Sequence, residues 1–411
     1  MRGRLLIIIA VLPSVTLGAG VSNCVDCHEN VTPGIVTDWD LSRHGQLGLD
    51  CYTCHGDGHT SAADAAKAGI PTPDTCTECH SAPVEQFKSG KHALAWTAMH
   101  ALSSVHLEPA DPAEDMKGCG GCHKIGLKTE DEIASLKAGG AGFGVASCDE
   151  CHTRHLFSTA EAREPQACRT CHTGSGYPQW EMYSSSKHGV RYLLKQNGIL
   201  PESSSAPTCQ TCHMGGGDHE VRSSWSYLAV RFPLPEDETW AQDQTTILQG
   251  LGILDPEGNP TDVLESVKNA DIARFTEEDW QRERDKMLDT CGDCHSSDFA
   301  EAELEKGDDK IRKTDRLMAE AINTVDGLYR DGILEVPDTY AYAFPDLLAY
   351  HDAATPIERT LSEMYLNHRM RAIHGTFHAN PDYALCRGWS LMGQDLVEIN
   401  EMAAELREEH E

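Results

Sequence analysis

Apolar residues return at helical intervals in three stretches near the end of this 411-residue chain. Leu317, Ala321, Val325 and Leu328 share one face of the first. Ile357, Leu361 and Met364, continuing to His368, share a face of the second. Met392, Leu396, Ile399, Ala403 and Leu406 share a face of the third. Each pattern predicts an amphipathic helix, and Pro337, Pro345 and Pro356 separate them. Such helices are expected to pack on each other, as a bundle within one chain or against neighbouring subunits. Upstream, Thr276-Glu277-Glu278-Asp279 reads as a helix start, with a capping hydroxyl and acids in the first turn.

The pattern weakens toward the N-terminus. Pro233, Pro235 and the run 250–260 mark loops. Residues 21–225 are rich in Gly, Pro, Ser and Thr and show no long amphipathic period. They predict short helices and loops with little sheet. At the very start, Arg2 and Arg4 precede the apolar run 5–12 and the small residues Gly18, Ala19 and Gly20. That is the layout of a secretory signal over residues 1–20, and the run is too short to span a bilayer. The alternative is an uncleaved anchor. Four segments follow: a signal at 1–20, a region at 21–225, a connector at 226–290 and a helical C-terminal domain at 291–411. The mature chain is expected to be soluble and periplasmic, or otherwise exported.

Composition explains the weak middle pattern. Seventeen cysteines are present, and sixteen lie in eight Cys-x-x-Cys-His motifs. The motifs are Cys24, Cys27 and His28; Cys51, Cys54 and His55; Cys76, Cys79 and His80; Cys119, Cys122 and His123; Cys148, Cys151 and His152; Cys168, Cys171 and His172; Cys209, Cys212 and His213; and Cys291, Cys294 and His295. Zinc knuckles or thiol-disulfide pairs need the two cysteines but no histidine directly after them. Histidine is 21 of 411 residues, so chance does not place one after every pair. Each motif reads as a c-type haem attachment site, in which two thiols add to the porphyrin and the histidine ligates iron. Seven of the eight lie in 21–225, and their uneven spacing excludes a repeat of equal units. Eight covalently bound haems supply apolar surface that a chain with 40% hydrophobic residues and few aromatics lacks. Haem burial is therefore expected to be part of the folding energy. The fold class is mainly α: a multihaem cytochrome c of short helices and loops around haems, followed by long C-terminal helices.

The formal charge is −31. This argues against nucleic acid or an anionic membrane surface as partner, and suits a basic electron-transfer protein or simple solubility. Thirteen histidines lie outside the motifs, enough to close the second axial position of every iron. Counting therefore leaves open whether any iron can bind a substrate.

The stretch 148–189, CDECHTRHLFSTAEAREPQACRTCHTGSGYPQWEMYSSSKHG, resembles the octahaem hydroxylamine oxidoreductase family. Similar too are APTCQTCH at 206–213, the run 291–299, FHANP at 377–381 and the later Gly388-Trp389. The order of all eight motifs matches. The resemblance implies that seven haems have two histidine ligands and that the fourth, on Cys119, Cys122 and His123, has an open distal face. By position the distal ligands implied are His44, His59, His92, His155, His188, His219 and His378. His100 and His106 have no counterpart and read as surface residues. The role of His374 stays open. The resemblance also implies a homotrimer, and an electron partner such as a small cytochrome or a membrane quinol dehydrogenase.

Three departures bear on the chemistry. Oxidative members cross-link a neighbouring subunit's tyrosine to the fourth haem. Here that position holds Leu385 or Cys386, with Tyr383 two or three residues away. An Asp-His pair that those members place over the open haem is replaced by Gly176-Tyr177. A phenol donates a proton near neutral pH more readily than it accepts one. The chain also ends in a charged helix with no membrane tail. The first two departures favour reduction of nitrite or hydroxylamine to ammonia at the fourth haem. His123 would be the iron ligand and Tyr177 a proton donor. Cys386 would be either a free thiol or a residue approaching that haem from the next subunit. Oxidation of hydroxylamine to nitric oxide or nitrite is the second expectation, and a non-enzymatic electron conduit the third. Octahaem nitrite reductases carry a Cys-x-x-Cys-Lys motif, and none occurs here.

Overall fold

A computed structural model describes residues 19–101, 119–139, 147–174, 177–221, 233–269, 276–338, 340–348 and 353–411. Most of the expected signal, together with His106 and Gly176, lies outside these residues, as do the side chains of His100 and Cys119. The described residues form helices and turns. Their one β feature is an isolated bridge between Leu254 and Pro260.

The helices of the C-terminal half include α1 (Glu238–Gly250), α2 (Glu277–Gly292), α3 (Ser297–Arg330), α4 (Pro356–Glu363), α5 (Met370–Phe377) and α6 (Ser390–His410). Local chemistry sets several of their starts. The Asp237 side chain accepts from the Trp240 amide, Thr276 from Asp279, and Ser296 from Phe299. Each satisfies an amide that a helix start leaves without an intrahelical partner. The start expected at Thr276 is the one observed. The 34-residue α3 is the axis of this half. Its Met318, Ala321, Ile322, Val325 and Leu328 are fully buried against Ile247 and Leu248 of α1, Ile357 and Leu361 of α4, and Met392, Ile399 and Ala403 of α6. Each large side chain buried this way stabilises the fold by about 1.5–3 kcal/mol. Helix α1 falls inside the segment read as a connector, yet it contributes to this core.

One polar group crosses that core. Asp315 of α3 and Arg369 are completely buried and paired, with Arg369 Nη2 2.8 Å from Asp315 Oδ1. Trp240 Nε1 and Gln244 Nε2 of α1 donate to Asp315 Oδ2 at 2.8 and 2.5 Å. Arg369 ends a π-helical turn, 364–369, between α4 and α5. A second π turn, 384–389, precedes α6. There Gly388 sits so close to α5 that a Cβ would lie 2.3 Å from the Ala372 amide nitrogen. Gly375 meets the same turn from the other side, its would-be Cβ 2.9 Å from the Ala384 nitrogen. The glycine pair lets the two backbones touch.

Residues 19–221 have a different interior. Fully buried apolar side chains are few, among them Val84, Trp96 and Met182. A connected, mainly apolar cavity of about 2400 Å³ takes the place of a side-chain core.

Candidate haem sites

The cavity wall carries the histidine of every one of the eight motifs. The motifs sit on single helical turns. Cys51–His55, Cys119–His123 and Cys209–His213 are each a five-residue helix. Asp50 and Thr208 cap two of them, accepting from the Thr53 and Thr211 amides. One turn puts residues i and i+3 on one side with i+4 beside them. In motifs two, three, five, six and seven both cysteines and the histidine line the cavity together.

Seven motif histidines meet a second histidine across the cavity. Ring centroids are 6.0 Å apart for His28 and His59, and 6.1 Å for His80 and His44. The separation is 6.1 Å for His55 with His155, His172 with His92, and His295 with His188. It is 6.2 Å for His152 with His219 and 6.3 Å for His213 with His378. Two imidazoles on one metal, with metal–nitrogen bonds of about 2 Å and ring centres roughly 1.2 Å further back, give about 6 Å. The residues therefore fit seven irons, each held between two imidazoles. The partners are the seven histidines expected from the resemblance. The pairing itself was not legible in the sequence: His44 serves the third motif, His155 the second and His92 the sixth.

Burial favours the neutral, metal-binding form of several of these rings. Burial foremost, then the neighbouring His172 and His213, lowers His92 to about 4. Burial and His213 lower His378 to about 4. His44, His155 and His188 are lowered in the same way, by burial first and then by the facing histidine. Several rings are aimed by their other nitrogen. His55 Nδ1 is 2.9 Å from the Gly69 carbonyl, and His378 Nδ1 is 2.7 Å from the His374 carbonyl. His374 thereby gains a place: half-buried, with its ring lowered to about 3 by desolvation, it holds up His378 through its carbonyl and contacts Gln179. His368 is a packing residue, its Nδ1 2.6 Å from Asp395 of α6.

His123 is held by the Ala95 carbonyl, 2.7 Å from its Nδ1. Residues 102–118, which carry His106, lie outside the described residues, and so does Gly176. Tyr177 lines the same cavity as His123 and is partly exposed. Cys386 is exposed on the second π turn beside the exposed Leu385 and Trp389, and it does not line the cavity. Within this chain it faces outward. Tyr383 is half-buried, which raises its phenol.

Thiols of different motifs adjoin in a definite order. Cys24 meets Cys51, Cys76 meets Cys148, and Cys168 meets Cys209. Cys54 lies near Cys76, Cys151 near Cys168, and Cys212 near Cys291. The motifs thus run one, two, three, five, six, seven, eight. Among the described thiols, Cys122 of motif four meets Cys171 of motif six, with Glu150 of motif five also beside it, so this thiol joins the line from the side at motifs five and six.

Helical turns bearing Cys-x-x-Cys-His around one cavity, with facing imidazoles, define a multihaem c-type cytochrome. The chain belongs to the seven times multi-haem cytochrome CxxCH family, whose match covers residues 47–231 and 265–340, more than half of the sequence. It is 26% identical, over 93% of its length, to a probable nitrite reductase-hydroxylamine oxidoreductase fusion protein of Kuenenia stuttgartiensis. The chain spans about half the length of that relative, 51%. Its fold is similar to a chain of the Kuenenia stuttgartiensis reducing HAO-like protein complex Kustc0457/Kustc0458, with a TM-score of 0.67 and 23% identity, covering 95% of this chain and 85% of that one. A hypothetical multiheme protein is similar as well, with a TM-score of 0.66 and 20% identity, covering 96% and 97%. The mainly helical multihaem fold and the covalent haems expected from the sequence are those of this family.

Proposed function

We propose that the protein carries eight haems and reduces nitrite or hydroxylamine to ammonia at the one bound by Cys119, Cys122 and His123. The observation that carries this reading is the branch position of motif four. Its described thiol, Cys122, adjoins motif six and Glu150 of motif five, while the other seven motifs trace a line without it. A side branch suits a terminus where electrons are consumed, and a continuous line suits their transport. The relatives, one a probable nitrite reductase-hydroxylamine oxidoreductase fusion protein and one a reducing HAO-like complex, support the substrate class and the direction.

The haem would supply the site where the nitrogen compound is bound and reduced. The chain supplies the rest. The Ala95 carbonyl fixes the orientation of His123 and makes its ring a stronger donor. Tyr177 would hold a proton at its hydroxyl and deliver it as the substrate's oxygen leaves as water. Electrons would reach motif four from motif six. The acidic surface suits a donor with a basic face, a small cytochrome or a membrane quinol dehydrogenase. Export to the periplasm and a homotrimer belong to the same proposal.

The haem-loaded protein, reduced with viologen and supplied with nitrite or hydroxylamine, should release ammonium. Tyr177→Phe should slow release at least tenfold with the haem spectrum unchanged. One iron should be high-spin and respond to cyanide. Irons that are all low-spin and silent to cyanide would make the protein a conduit. Dye reduction driven by hydroxylamine, with no ammonium, would reverse the direction.

A further inference from the structure

The first motif ends the line of thiol contacts, and its second histidine has an anion behind it. His59 faces His28 at 6.0 Å and turns its Nδ1 to Asp64 Oδ1 at 3.1 Å. The same oxygen accepts from the Thr60 amide at 3.1 Å, the Ser61 amide at 2.7 Å and the Ser61 hydroxyl at 3.2 Å. The Thr60 hydroxyl donates to Oδ2 at 3.2 Å. These donors fix the carboxylate at the start of a short helical turn. The Ser61 amide, ahead of the Thr60 amide and His59, holds its acid far below the usual carboxylate range. Asp64 only accepts in these hydrogen bonds, as an ionised carboxylate does. Four of the other candidate ligands turn Nδ1 to a neutral partner: the Thr32 hydroxyl for His28 and the carbonyls of Gly69, Gly217 and His374 for His55, His219 and His378. Asp38 and Asp149 lie near His155, and Glu161 near His152.

We propose that Asp64, acting through His59, makes the haem of motif one the lowest-potential haem of the series and the port where electrons enter. An imidazole that donates to a carboxylate gains electron density at its metal-binding nitrogen. A more basic axial ligand and a fixed negative charge nearby both favour ferric over ferrous iron. The position agrees with the role. Motif four lies at the far end of the route through motifs two, three, five and six. A reduced cytochrome-type donor gives one electron, is itself oxidised, and the ferric iron of motif one becomes ferrous with no bond made or broken. Each later transfer then runs toward haems that hold the electron more firmly. Asp64 is a positioning and tuning residue, since it touches neither substrate nor iron. The proposal rests on the ligation of this haem by His28 and His59. The entry role rests on the reductive reading, and the low potential does not.

The test is a potentiometric titration of the haem-loaded protein followed by absorption and EPR. His59→Met identifies the transition belonging to motif one, because a thioether ligand raises it. Asp64→Asn keeps the side chain's shape and removes the charge. It should move that same transition, the lowest of the set, to higher potential, leave the others in place and keep the iron low-spin. Asp64→Glu should return it part of the way. Unmoved transitions in Asp64→Asn overturn the proposal, and so does loss of the low-spin signal, which would make Asp64 a mere support for His59. A silent His59→Met removes the ligation beneath it. A shifted transition in a protein that makes no ammonium leaves the low potential standing and removes the catalytic reading, and the entry role with it.

Discussion

Replacing Asp315 with alanine should be among the most damaging single changes in the C-terminal half. The carboxylate is completely buried and takes four hydrogen bonds: Arg369 Nε at 3.0 Å, Arg369 Nη2 at 2.8 Å, Trp240 Nε1 at 2.8 Å and Gln244 Nε2 at 2.5 Å. Alanine deprives a buried guanidinium of its counter-charge, which costs about 3–5 kcal/mol. The indole and amide donors lose their acceptor too, at about 1–3 kcal/mol each, part of which the same relaxation recovers. A net loss of about 4 kcal/mol is expected, a large share of the roughly 5–15 kcal/mol that holds a folded domain. The assay is urea unfolding of the haem-loaded protein, followed by far-ultraviolet circular dichroism. Adding Arg369→Met should restore most of the loss, because no charge is then left in the core. A single variant that loses under about 1 kcal/mol, or a double variant as unstable as the single, would refute the electrostatic account. In the second case the site would matter for packing alone.

Two further outcomes follow from the packing. Gly388→Ala puts a Cβ 2.3 Å from the Ala372 backbone nitrogen, which cannot swing aside. It should lower the unfolding free energy by about 1–3 kcal/mol, with α5 and His378 displaced and the haem of motif seven perturbed in EPR. Haem-free chain, made by blocking attachment, should lack a cooperative melt, because an apolar cavity of about 2400 Å³ replaces a core in its first half. A sharp calorimetric transition in that material would contradict this.

The sequence revealed what is local. Covalent motifs need only adjacent residues, so all eight sites could be named. Helical periods at Ala321, Val325 and Leu328 reported the buried face of α3, because amphipathic spacing is a property of one segment. Which imidazole meets which is a property of distant segments brought together, and no short-range pattern encodes that His155 faces His55. The buried Asp315 and Arg369 pair was missed for a related reason. A charged residue on a helix normally reads as a solvated face, and only its partner across the core says otherwise. Gly375 and Gly388 gave a weaker signal: two glycines inside helical stretches, where glycine is disfavoured, mark a close approach. His374 could be noticed but not placed, since its role as a prop for His378 rests on a carbonyl, not on its ring.

The facing histidines also say something about how the polypeptide is tied. If each pair grips one metal, the closures join positions 28 to 59, 44 to 80, 55 to 155, 92 to 172, 152 to 219, 188 to 295 and 213 to 378. Every span begins before its predecessor has ended. The stitches overlap like links of mail, so every peptide bond from His28 to His378 lies beneath at least one of them. Two of them reach from the cofactor-crowded half into the helical half, so the halves are bound together through their metals as well as through the chain between them. Maturation inherits an order from this. A prosthetic group fixed early, at motif seven, must wait for a ligand near the end of the chain before its coordination is complete.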